Sequence, residues 1–191
     1  MTGPSISTLQ TLLSQVGYGK DGKEMLDDSI FTDLYSQYIE LVYRYIISRV
    51  GNVQVAEDLT AETFLAVLEG LPRFRVEAPV ASWVMAIAHH KIADYFRKER
   101  DALPLEAELS IASAEPSPHE LADQRLQLEN VVHALHFLSP DRGDALALFF
   151  FAGLDVHEVA LVMAKSEAAI RMLIYRGLQD LRTRLIIEKR G

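Results

Sequence analysis

Residues 101–125 read DALPLEAELSIASAEPSPHELADQR, and this stretch limits the fold more than any other. It holds three prolines and many small polar residues, so it reads as a linker between two helical blocks. It also carries one base and six acids, a net of −5, against −8 for the whole chain. The acidity therefore sits mostly between the blocks. Two readings of that charge stand side by side: a solvating device, or a segment that shadows a nucleic-acid path inside a larger machine.

The first block spans about residues 30–100. IFTDLYSQYIELVYRYIISRVG repeats apolar residues at helical spacing, and Gly51 is placed to end that helix. NVQVAEDLTAETFLAVLEGL predicts a second helix, stopped near Gly70 and Pro72. A loop follows to about residue 82, and Ser82 is a candidate cap for the helix SWVMAIAHHKIADYFRKER. The second block spans residues 126–191. LQLENVVHALHFL and DALALFFFAG predict two helices. In DVHEVALVMAK, Asp155 and Glu158 have capping-box spacing. Ser166 then caps the long helix EAAIRMLIYRGLQDLRTRL, giving the outline of a helix-turn-helix. No strand pattern is present. The expected fold is all-α: two helical domains joined by an acidic linker, the second with a helix-turn-helix, and an N-terminal extension at 1–29.

Several function classes drop out. The chain has no cysteine, which rules out disulfides and thiolate metal sites and fits a reducing cytoplasm. The longest apolar run, ALALFFFAGL, is too short to span a bilayer, and the start MTGPSISTLQ is not a signal peptide. The expected location is cytoplasmic, without membrane insertion. No phosphate loop, nucleophile elbow or paired catalytic carboxylates can be recognised. His133 with His136 and Glu129, and His89 with His90 and Asp94, are incomplete ligand sets, so no metal or other cofactor is expected. A net charge of −8 argues against bulk attraction to nucleic acid.

Two helical stripes carry more. At about 100° per residue, Asp58, Glu62, Leu65 and Glu69 share one narrow face, suited to docking on a basic protein surface. On the helix 82–100, Val84, Ala88, Ile92, Tyr95 and Phe96 form a core side. Trp83, Ile87, His90, Asp94, Arg97 and Lys98 form the other side. An aromatic ring, hydrogen-bonding groups and cations in a line suit unpaired nucleic acid, where flat side chains stack on bases and cations meet phosphates.

AEDLTAETFLAVL, then SWVMAIAHHKIADYFRKER, then HFLSPDRGDALALFFFAGLDVHEVALVM with SEAAIRMLIYRGLQDLR resemble, in order, the signatures of bacterial extracytoplasmic-function (ECF) sigma factors. The resemblance covers about residues 30–100 and 126–187. It implies a promoter-specificity subunit of RNA polymerase that is not itself an enzyme. Residues 30–100 would be sigma region 2. There Asp58, Glu62 and Leu65 would dock on the clamp helices of the largest polymerase subunit. Trp83, His90, Asp94, Arg97 and Lys98 would melt and read the −10 element. Residues 126–191 would be sigma region 4, on the flap of the second-largest subunit, with Ser166, Arg171, Met172 and Arg176 at the −35 element. The family also allows an anti-sigma partner. The sequence departs from the family pattern at Ala61, Ala86, His89, His90, Phe149, Met172 and Leu173. Projection places Met172 and Leu173 opposite the core face of Ile170, Ile174, Leu178 and Leu181, which weakens the transfer of −35 contacts. The rival readings are a stand-alone helix-turn-helix regulator and a helical metalloenzyme.

Overall fold

In the computed structural model, residues 28–74, 79–102, 130 and 132–188 are described. Nearly all of them are helical, and no strand occurs among them. Helix α1 is Asp28–Val50, α2 is Val53–Gly70 and α3 is Val80–Ala102. A short helical segment at 132–136 precedes α4 (Pro140–Phe150), α5 (Val156–Val162) and α6 (Glu167–Glu188). Residues 1–27 of the N-terminal extension, 103–125 of the linker, loop residues 75–78, residues 126–129 (with Glu129), residue 131 and residues 189–191 lie outside the described residues.

Local chemistry explains most boundaries. The N–H of Gly51 bonds to Ile47 O at 3.0 Å, and its φ of 69° is a conformation that glycine adopts without Cβ strain. Asn52 then caps α2 through its side chain, which accepts from Val55 N at 3.1 Å. The Asp155–Glu158 capping box is complete: Glu158 N donates to Asp155 Oδ1 at 2.8 Å, and Asp155 N donates to Glu158 Oε2 at 2.9 Å. Ser166 Oγ accepts from Ala169 N at 3.2 Å and so opens α6. Ser82 does not cap α3. The helix begins two residues earlier at Val80, and Ser82 is buried inside it. Pro79, which lacks an N–H, accepts from Trp83 N at 3.1 Å through its carbonyl and starts the helix instead.

The core is one contiguous apolar cluster. Leu34, Tyr38, Val42, Tyr45 and Ile46 of α1 pack with Leu59, Phe64 and Val67 of α2 and with Val84, Met85, Ala88 and Ile92 of α3. Leu146, Leu148, Val159, Val162 and Ile170 of the C-terminal helices belong to the same cluster. Val84, Ala88 and Ile92 are buried as their spacing predicts, while Tyr95 and Phe96 are half-buried at the edge. The core face of α6 differs from the projection. Leu178 is exposed, and Gly177 takes the inward position, where an added Cβ would meet Leu146 Cδ1 at 2.8 Å. Leu173 is half-buried against the core rather than outward with Met172. A helix turned by a fraction of a residue step produces both changes.

Candidate nucleic-acid and polymerase interfaces

Helix α2 buries Ala56, Leu59, Thr60, Thr63, Phe64 and Val67. The two threonine hydroxyls bond back to Ala56 O and Leu59 O, each at 2.7 Å, so their burial leaves no donor unmet. This fixes the rotation of the helix and turns Asp58, Glu62 and Leu65 to solvent. Leu65 is 60% exposed, a large apolar side chain left open between acids. Glu62 Oε2 also reaches Lys91 Nζ of α3 at 3.0 Å. That contact joins the acidic stripe to the neighbouring helix and was not visible as a helical pattern.

On α3 the tryptophan end is half-covered. Trp83 packs on Phe74, with centroids 4.6 Å apart, and on Gly70, where a Cβ would stand 3.0 Å from Trp83 Cζ2. The rest of the stripe is more open: His90, Arg97 and Lys98 are exposed. Asp94 pairs with Arg97 at 2.9 Å. The Nδ1–H of His90 donates to Ala86 O at 2.7 Å, which leaves Nε2 as the outward polar atom. His89 points the other way. Its Nδ1 and Tyr45 Oη share a hydrogen bond of 2.9 Å, and burial pushes its pKa below 6.5 against the opposing pull of the Asp144 carboxylate. Burial also pushes Tyr45 well above the usual tyrosine range. Tyr95 is raised to about 12 by burial and by its bond to Glu99.

Along α6, Ser166, Arg171, Met172 and Arg176 are all exposed, and Met172 is 47% exposed. Ser166 spends its hydroxyl on the cap, and Arg171 pairs with Glu167 at 2.7 Å. Glu167 is held below the usual carboxylate range first by its bond to His157 and then by Arg171. Tyr175, three residues past Met172, is 60% exposed and was not singled out by the sequence. It lengthens the outward face with a ring that can also donate a hydrogen bond. The histidines do not converge. His136 Nε2–H donates to Arg49 O at 2.8 Å, while His133 stacks edge-on against Phe137. Among the described residues, no three His, Asp or Glu side chains form a group able to hold a metal ion. No helix among them is long and apolar enough to cross a membrane.

Comparisons with known proteins show the family and the fold. The Sigma-70 region 2 family model matches residues 34–102, the extent of α1–α3 apart from the start of α1. The ECF RNA polymerase sigma factor BldN of Streptomyces coelicolor is 37% identical over 154 residues, 79% of this chain. That match spans 58% of the BldN chain. The ECF RNA polymerase sigma factor SigD of Mycobacterium tuberculosis is 31% identical over 153 residues, covering 76% of this chain and 72% of SigD. The solved structure of the sigma factor RpoE in complex with the anti-sigma factor NepR, from Bartonella quintana, has the same fold. Its TM-score is 0.62 at 20% identity, over 82% of this chain and 97% of that one.

Proposed function

Because the chain belongs to the ECF sigma factors of bacterial RNA polymerase, we propose that it directs core polymerase to specific promoters and helps open them. In this reading residues 30–100 act as region 2 and residues 126–191 as region 4, with 101–125 as the connecting linker. Asp58, Glu62 and Leu65 dock on the clamp helices of the largest subunit. Trp83, His90, Asp94, Arg97 and Lys98 bind the opened −10 strand. Ser166, Arg171, Met172 and Arg176 face the −35 element, joined by Tyr175. The protein works in the cytoplasm, contributes no catalysis of its own, and is held inactive by an anti-sigma factor. The SigD and BldN likenesses support the assignment, and the complex of the Bartonella relative supports the last partner.

One observation carries the reading. An exposed acidic and apolar stripe on α2 lies beside an aromatic and cationic stripe on α3, and Glu62–Lys91 ties the two together at 3.0 Å. A duplex-binding regulator needs neither stripe. The division of labour also explains the acidity. The polymerase supplies the nonspecific grip, and the sigma subunit needs cations only where single-stranded DNA passes. Titration of the purified protein with core polymerase tests this. Saturable one-to-one binding is expected, together with weak binding to duplex DNA alone. Tight binding to duplex DNA with none to core would instead mark a stand-alone regulator.

A further inference from the structure

The outward side of α6 holds an anion, Glu167, beside a cation suited to DNA. Glu167 is the first residue of α6 and lies one turn before Arg171. Its Oε2 accepts from Arg171 Nη2 at 2.7 Å, and its Oε1 accepts from His157 Nδ1–H at 3.1 Å. The two carboxylate oxygens thus have separate donors, one on α6 and one on α5. The bond to His157, and then that to Arg171, hold the group below the usual carboxylate range. An acid in the first turn of a helix is ordinary, because the positive end of the helix favours it. An acid there that also reaches α5 and clasps an arginine has its orientation fixed from two sides. Arg171 nevertheless stays open, with its side chain 62% exposed. Only one of the five guanidinium donors is used on Glu167, so others remain for the paired acceptors of a guanine. Ala168 is exposed on the same side and carries only a methyl group, which leaves room for a base edge. Arg176, on the same helix, has no ion-pair partner among the described residues.

We propose that Glu167 is a specificity-determining positioning residue: it holds the Arg171 guanidinium in the orientation that reads one guanine of the −35 element, and His157 in turn holds Glu167. The proposal rests on the sigma-factor reading for the identity of the DNA. A free arginine meets phosphates as readily as bases, and phosphate contacts carry no sequence information. A guanidinium already held by a carboxylate has less freedom left to lose when it meets a base. The same carboxylate repels the backbone of any duplex laid on α6, whatever its sequence. Guanine alone offers the bidentate pair that offsets this repulsion. Affinity therefore falls for every sequence while discrimination rises, a selection against wrong sites as well as for the right one. Arg176 and Arg171 then differ in task, the first meeting phosphate and the second reading a base.

The test uses the full chain with core polymerase on a promoter library randomised across the −35 element. The parent should enrich guanine at one position. Glu167→Ala should cut that enrichment about tenfold, the scale of one base contact, without lowering transcription from the pool as a whole or changing the −10 motif. Arg171→Ala should abolish the same preference, and adding Glu167→Ala to it should change the preference no further. If Glu167→Ala fails to fold, Glu167→Gln keeps the shape without the charge, with a smaller loss expected at the same position. His157→Ala should also give a smaller loss there. Unchanged guanine preference in a folded Glu167 variant, or an equal loss at every −35 position, would overturn the proposal. A second arm needs no polymerase: the full chain alone selects from the same library as duplex. Guanine preference lost there in the Glu167 variant, with no transcript dependent on the parent, would sustain the role of Glu167 and refute the sigma-factor reading alone. A parent without guanine preference in either arm would overturn the proposal.

Discussion

Lys91 Nζ stands 3.0 Å from Glu62 Oε2, so the acidic stripe of α2 and helix α3 meet in an ion pair at their outer edge. Both side chains are substantially exposed, and such pairs contribute ~0–1 kcal/mol to stability. The role of Glu62 is therefore better tested by binding than by melting. Charge reversal at Asp58 and Glu62, both to Lys, should weaken association with core polymerase roughly tenfold or more, ~1.4 kcal/mol at least. Circular dichroism should show unchanged helicity. Unchanged affinity in a folded double variant would remove the stripe from the docking surface.

Removal of the cations at the end of α3 should act at a different step. Arg97→Ala with Lys98→Ala should reduce open-complex formation more than core binding. The salt dependence of opening should also flatten. Each phosphate contact on a single strand contributes a slope of ~0.7, so a fall of about 1 is expected, less than two full contacts because Asp94 already shields Arg97. Equal losses in core binding and opening would make this end of the helix structural only.

His89 gives the protein an acid-sensitive element. Burial lowers its folded pKa below 6.5, so the unfolded chain binds its proton more readily. Its contribution to stability is complete above about pH 6.5 and is lost as pH falls from there toward the lower folded value. The Tyr45 contact faces it, and Asp144, His90, Arg49 and Asp141 set the local field. Thermal melts from pH 5 to 8 should show a loss of Tm on the acid side that is reduced in His89→Gln. Parallel pH profiles for the two proteins would contradict the assignment.

Met172 and Leu173 should separate cleanly. Met172→Ser changes an exposed side chain, so stability should shift by less than ~0.5 kcal/mol while −35 dependence changes. Leu173→Arg disturbs a side chain packed against the core and should cost about 1–3 kcal/mol. Equal thermal effects of the two substitutions would mean that α6 is rotated from the observed position.

These contrasts mark what a sequence can and cannot reveal. The Asp155–Glu158 box, the Ser166 cap and the Gly51 stop were legible because each is settled within four residues. The exposure of Asp58, Glu62 and Leu65 was legible because the opposite face of α2 is uniformly apolar or threonine. Ser82 misled because a serine before an apolar run suits a cap, and nothing local showed that Pro79 would start the helix first. Leu173 and Leu178 lay near the border between two faces, where a small rotation decides burial. The ion pairs of Arg49 with Asp144 and of Glu62 with Lys91 join residues far apart in the chain, so no periodicity announces them. Tyr175 passed unnoticed because an aromatic at helical spacing ordinarily reads as core.

The most direct measurement is transcription in vitro, with purified core polymerase, this protein and a library of randomised promoters, with start sites mapped by sequencing. The account predicts transcripts that depend on the added protein, enriched for one −10 motif and a weaker, thymine-containing −35 motif, and lost with the Asp58 and Glu62 reversal. Transcripts identical to those from core polymerase alone, with an active control sigma factor in the same reaction, would contradict it.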